Sequence, residues 1–193
     1  MKMVAFTLVL SVFFNLNAFS ALFAQTEGKQ KKILIAFFSK TGNTAKVAEA
    51  IRKNIGGTMF QIVPEIAYPE DYDEAVKIAR KEVDTKARPS IKGKIENFAA
   101  YDVVFVGFPN YWATAPMSVL TFLESYDFSG KTIVPFVTHE GSGFGRSISD
   151  IASSCPKAKM LDGLAIRGSD ADSAETRVPE WLKKLEFLEL EKK

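Results

Sequence analysis

The chain has 193 residues, 47% of them hydrophobic and 25% charged, with a formal net charge of +2. That length suffices for one domain, which at this size buries roughly 70% of the surface its unfolded chain exposes. The balance excludes an intrinsically disordered chain, and the near-neutral charge implies no nucleic acid or other polyanion as partner.

Residues 1–24 differ from the rest. Lys2 is the only charge before Glu27. Val4 to Phe14 is apolar apart from Thr7 and Ser11, and small residues follow at Ala18, Ser20, Ala21 and Ala24. This order reads as an export signal over 1–24, cleaved after Ser20 or after Ala24. An uncleaved anchor is the alternative, although the apolar stretch falls short of the ~20 residues a span needs. Cleavage removes one lysine and leaves a net charge of +1. The expected location is periplasmic or extracellular, with the membrane involved only through the signal. Residues 25–31 read as a short linker and 32–190 as one domain.

Ile33 to Phe38 is a continuous apolar run, as in a strand buried on both faces of a parallel sheet. Val47, Ala48, Ile51 and Ile55 then mark a helix face, closed by Gly56-Gly57. Thr58 to Val63 is a second strand, and its broken pattern, with Gln61 between Phe60 and Ile62, suits a sheet edge. A helix is expected from about Glu70 to Asp84 on the spacing of Tyr72, Ala75 or Val76, Ala79 and Val83. Pro89 imposes an extended stretch, and 95–100 reads as a short turn. Val103 to Phe108 is the third strand and Met117 to Tyr126 the next helix, with Pro116 near its first turn. Ile133 to Val137 is the fourth strand; Pro135 removes a ladder donor, so a bulge or an unpaired position is expected there. Arg146 to Ser154 reads as a helix with Ile148, Ile151 and Ala152 inward. A short fifth strand lies between Met160 and Ile166, and Trp181, Leu182, Leu185 and Leu188 mark a last helix. The lone Cys155 can form no internal disulfide and reads as a half-buried structural thiol. Strand–helix alternation of this kind predicts an α/β fold, an open parallel sheet with helices on both faces. Ligands of such sheets bind beyond the strands' carboxyl ends.

Three polar loops lie at such ends. Ser39, Lys40, Thr41, Gly42, Asn43 and Thr44 join the first strand to its helix without an acidic residue. Backbone N–H groups, the helix dipole and short hydroxyls there make a phosphate cradle. The loop lacks Gly-x4-Gly-Lys-Ser/Thr and Gly-x-Gly-x-x-Gly, so neither a nucleoside triphosphate nor a dinucleotide fingerprint is present. Pro109, Asn110, Tyr111, Trp112, Ala113 and Thr114 form an aromatic loop whose rings either stack on a flat ligand or, for Trp112, pack into the helices. Thr138, His139, Glu140, Gly141, Ser142, Gly143, Phe144 and Gly145 form a glycine-rich loop that brings backbone close to a ligand edge. His139, the only histidine, is either an exposed loop residue or a group beside the ligand, a catalytic candidate in the latter case. With no second histidine or paired cysteine, a zinc or iron site is not expected. Cradle, aromatic clamp and glycine loop together fit flavin mononucleotide (FMN).

At these residues the chain resembles the flavodoxin family, from about Lys32 to Leu188. Ser39-x-Thr41-Gly42-Asn43-Thr44 is similar to the family's phosphate loop. Tyr68-Pro69-Glu70-Asp71-Tyr72, Ala87-Arg88-Pro89, Thr121-Phe122-Leu123-Glu124 and Gly141 to Ser147 resemble a bacterial branch of it. The resemblance implies a three-layer sandwich with a five-stranded sheet in the order 2-1-3-4-5. It also implies FMN as cofactor and electron transfer to a redox partner protein or a small-molecule acceptor. Two departures stand out. Single-electron flavodoxins are acidic around the ring, whereas this chain is near neutral and carries His139 and Arg146 beside Glu140. Ala113 stands where the branch has Gly, in a loop whose peptide reorients with flavin redox state in many flavodoxins. Both leave room for FMN-dependent reduction of a quinone, nitro or azo compound by a reduced nicotinamide. A redox-silent binding protein on the same fold is the reading of another class.

Overall fold

A computed structural model describes residues 31–187. The expected export signal over 1–24, most of the linker and Leu188 lie outside the described residues. Six strands and five helices follow one another: β1 (Ile33–Phe37), α1 (Asn43–Ile55), β2 (Thr58–Gln61), α2 (Tyr72–Asp84), β3 (Val103–Pro109), α3 (Met117–Glu124), β4 (Thr132–His139), α4 (Ser147–Ser154), β5 (Lys159–Met160), β6 (Leu164–Arg167) and α5 (Ala174–Lys184). Short 3-10 turns cover Phe98–Ala100 and Gly168–Ser173.

The sheet runs β2-β1-β3-β4-β5, all parallel, with β6 continuing on the same side of β4 as β5. The expected 2-1-3-4-5 order is therefore present, with β2 at the edge. Strand alternation splits the apolar side chains between two layers. Leu34, Ala36, Val104, Val106 and Phe108 face α3 and α4, packing with Met117, Phe122, Leu123 and Ile151. Ile35, Phe37, Val103, Phe105, Val134 and Phe136 face α1 and α5, packing with Val47, Ile51, Val178, Trp181 and Leu182.

Three expectations change in detail. The fifth strand is split, and the split explains Pro135. The Ile133 carbonyl accepts from Leu161 on the β5 side, so Pro135, two residues on, points its missing N–H to the same side. That position falls between β5, which pairs as far as Ile133, and β6, which starts opposite Phe136. The register with β3 runs through Val106 and Pro135 without a bulge. In α4 the inward face is Ser147 and Ile151, while Ala152 is exposed. Ile148 is half-buried, and the buried Ser147 hydroxyl donates to the Phe144 carbonyl. Cys155 is buried more fully than expected, at 5% exposure, with its thiol 3.8 Å from the Leu123 carbonyl.

Gly107 in β3 lies opposite Phe136 in β4, and a Cβ on it would overlap the Phe136 ring. Gly107→Ala is therefore expected to destabilise the fold by about 1–3 kcal/mol, read as a lower urea midpoint at unchanged slope. Adding Phe136→Leu should recover part of that loss, because the two residues share one volume; strictly additive losses would show that they do not. Burial pushes the Cys155 thiol up to about 12. The raised value keeps the thiol neutral in the fold, so the associated stability is present below the unfolded value of about 8.5. It is lost as pH rises from there toward about 12. Iodoacetamide at pH 8 should alkylate Cys155 no faster than the fold opens, and Cys155→Ala should flatten the alkaline fall in stability.

Candidate functional site

The carboxyl ends of β1, β3 and β4 carry the three polar loops, and parallel pairing sets them side by side. In the first, Gly42 sits before α1 with φ of +92°, a conformation that favours glycine. The Ser39 hydroxyl accepts from the Ala45 N–H at 3.3 Å. The N–H groups of Thr41, Gly42, Asn43 and Thr44 find no acceptor among the described residues. They are the donors that a helix start leaves open. The hydroxyls of Thr44 and Thr138, both buried, lie 2.8 Å apart and tie this loop to the end of β4. Lys40 reaches sideways, donating to the Glu70 carbonyl at 3.4 Å.

The second loop is a two-residue reversal. Tyr111 and Thr114 exchange backbone hydrogen bonds of 2.9 and 3.1 Å. Trp112 and Ala113 between them have φ of +55° and +63°. Positive φ at both central positions is the type I′ turn, which normally takes Asn-Gly. Here Trp-Ala adopts it, and the third loop holds it there. The Ala113 carbonyl accepts from the Arg146 N–H at 2.7 Å, and the Asn110 side chain donates to the Gly143 carbonyl at 2.7 Å. A Cβ on Gly145 would overlap the Ala113 carbonyl, so that glycine allows the contact. Thr114 is buried and its hydroxyl donates to Asp150.

Between the loops opens a cleft of about 510 Å³. Lys40, Thr41, Asn43 and Thr44 line one end, and Pro109, Asn110, Tyr111, Trp112 and Ala113 one side. Thr138, His139, Glu140 and Ser142 complete the third loop's share. Ser39, Gly42, Thr114, Gly141, Gly143, Phe144 and Gly145 do not line it; they shape the loops that do. His139 stands at the cleft, with Nδ1 accepting from the Gly141 N–H at 2.9 Å. Tyr111 packs edge-on against Phe38 and Tyr68, and burial pushes its hydroxyl up to about 12. The Tyr68 hydroxyl donates to Glu82 and is likewise raised, first by burial and then by that bond.

Two features depart from the sequence reading. Tyr72, Ala75, Val76 and Ala79 of α2 line the cleft next to Trp112, whose Nε1–H meets the Val76 carbonyl, and Gly168 lines it by Asn43 and Glu140. Their spacing marks an apolar helix face, yet spacing alone does not say whether core or cleft lies against it. Arg146 is the other. It pairs with Asp150 at 3.2 Å and does not line the cleft, so the expected positive charge beside Glu140 from Arg146 is absent.

Comparison with known proteins agrees with this architecture. The flavodoxin family model matches residues 32–185. A candidate flavoprotein from Bacteroides eggerthii DSM 20697 superposes with a TM-score of 0.71 at 35% identity, over 80% of this chain and 98% of its own. A second, from Bacteroides uniformis ATCC 8492, gives 0.69 at 30% identity, over 79% and 98%. A flavoprotein from Lactobacillus acidophilus NCFM, solved in complex with FMN, shares the fold with a TM-score of 0.61 at 23% identity, over 76% and 99%. No curated protein matches the chain. With its sheet order, its three loops and a family match over nearly the whole described domain, the chain belongs to the flavodoxin family.

Proposed function

We propose that the chain binds FMN in this cleft and carries electrons outside the cytoplasm. The observation that supports this most is the run of unpaired N–H groups from Thr41 to Thr44, at one end of a cleft walled by Tyr111 and Trp112. The donor set fits a phosphate: N–H groups at a helix start plus the Thr44 and Thr138 hydroxyls. The volume lies inside the ~300–1,000 Å³ usual for ligand pockets. The remaining walls suit a flat ring, since Trp112 and, beside it, Ala75, Val76 and Ala79 give the cleft apolar surface.

FMN, when bound, accepts and releases one or two electrons. The protein's residues do the rest. Thr41 to Thr44 would hold the phosphate, Tyr111 and Trp112 would position the ring, and α2 would shield it from water. His139 and the backbone of the glycine loop would offer it polar contacts. Residues 1–24 carry the pattern of an export signal, which supports work in the periplasm or beyond it. The electron acceptor is a redox partner protein or a small molecule. The near-neutral charge favours, as a second reading, two-electron reduction of a quinone, nitro or azo compound by a reduced nicotinamide. The pairing of Arg146 with Asp150 removes one support for that alternative.

The purified mature chain is expected to be yellow, or to become so on adding FMN; a chain that stays colourless overturns both readings. Dithionite reduction in two separated one-electron steps supports the carrier, and bleaching by reduced nicotinamide alone supports the reductase. Thr41→Glu places a carboxylate in the cradle. Like-charge repulsion of ~1–4 kcal/mol at ~4 Å should weaken FMN binding by about fivefold to nearly a thousandfold, and unchanged retention would refute the assignment. Trp112→Ala should cost about 1–3 kcal/mol of binding in a fluorescence titration; no loss would make Trp112 a packing residue.

A further inference from the structure

Trp112 is 44% exposed and stands on a reversal with positive φ, yet two contacts fix its indole in place. Its Nε1–H donates to the Val76 carbonyl of α2 at 3.2 Å. The Arg80 guanidinium lies over the ring, 4.8 Å from its centroid. Arg80 is in turn held by Asp84, with Nε 2.8 Å from the carboxylate. Val76, Arg80 and Asp84 recur every fourth residue and so share one face of α2. The helix itself is anchored at its start, where Asp71 accepts from the Glu74 N–H at 2.8 Å. Val76 and Trp112 line the cleft, and Arg80 does not. The guanidinium therefore backs the ring without competing for a ligand.

We propose that Arg80 is a positioning residue that latches the 109–116 loop onto α2. The indole then stands as a fixed wall of the cleft before any ligand enters. A cation over an indole face is the strongest of the cation–π pairs. It also restrains the ring in tilt as well as distance, which the single Nε1 hydrogen bond cannot do. At its other end the turn is tied through the Ala113 carbonyl to the Arg146 N–H. With both ends held, the ordering of Trp112 is complete before binding, and the ligand does not bear that entropy. The effect on FMN affinity rests on the reading that this cleft takes FMN; the latch itself does not.

The chain holds two tryptophans, Trp112 and the buried Trp181. In a Trp181→Phe background the emission reports Trp112 alone. Where Trp181→Phe lowers the thermal midpoint, subtracting the emission of Trp112→Phe from that of the parent isolates the same signal. In the FMN-free chain, Arg80→Gln is expected to raise acrylamide quenching of Trp112 by about twofold and to lower its anisotropy. Arg80→Lys, which keeps the cation, should restore most of both. Quenching and anisotropy unchanged by Arg80→Gln would overturn the latch. With FMN added, Arg80→Gln should weaken the dissociation constant about two- to fivefold, and an unchanged constant would overturn the role in pre-ordering. Altered quenching in a chain that binds no FMN with Arg80 intact would leave the latch standing and remove the FMN reading instead.

Discussion

Parallel pairing is the constraint from which the site follows. β1, β3 and β4 are buried on both faces, so each must leave the sheet and return through a helix. Their carboxyl ends then share one edge, and the loops that follow them have no other place to be. The hydrogen bond between the Thr44 and Thr138 hydroxyls turns this proximity into a fixed arrangement. Both hydroxyls are removed from water, and each would be costly if left alone. Together they set the start of α1 against the end of β4, across 94 residues of sequence.

The second and third loops behave as one unit for a different reason. A type I′ reversal built from Trp-Ala is uncomfortable without glycine, and positive φ at such residues persists only where the surroundings over-determine it. Those surroundings are visible. The Ala113 carbonyl is held by the Arg146 N–H, Asn110 reaches the Gly143 carbonyl, and Thr114 reaches Asp150. Gly145 permits the close approach. The aromatic face is thus aimed by backbone contacts from a loop thirty residues away, and no single loop would aim it alone.

Much of this was legible in the sequence, and the unread parts share a cause. Ile33–Phe37 and Val103–Pro109 announce themselves as buried strands because every residue is apolar or small. The phosphate loop is legible because N–H groups and short hydroxyls at a helix start are a local property. The wall supplied by α2 is not local. Ala75 and Ala79 look identical whether they meet a core or a cleft, and only the packing of the helix over the loops decides. The same holds for Arg146: its place beside Glu140 in sequence implied a shared site, while the turn of α4 carries it to Asp150. Pro135 shows the converse. The missing donor was plain in the sequence, and the structure answers it by dividing the neighbouring strand.

Charge is the last piece, and it points to recognition by neutral donors. Among the acidic and basic side chains lining the cleft, Lys40 and Glu140 carry opposite signs, and the Lys40 ammonium is turned to the Glu70 carbonyl. An anion entering here is attracted chiefly by backbone N–H groups and the positive end of α1, an effect confined to the first turn of the helix. Selection is therefore by the geometry of the donors. The same reasoning extends outward. A net charge near zero supplies little overall long-range attraction. The rings of Tyr72 and Trp112, both exposed and both lining the cleft, offer contacts at short range. Contacts of that kind depend on shape, and shape at this mouth depends on how firmly the 109–116 loop is held against α2.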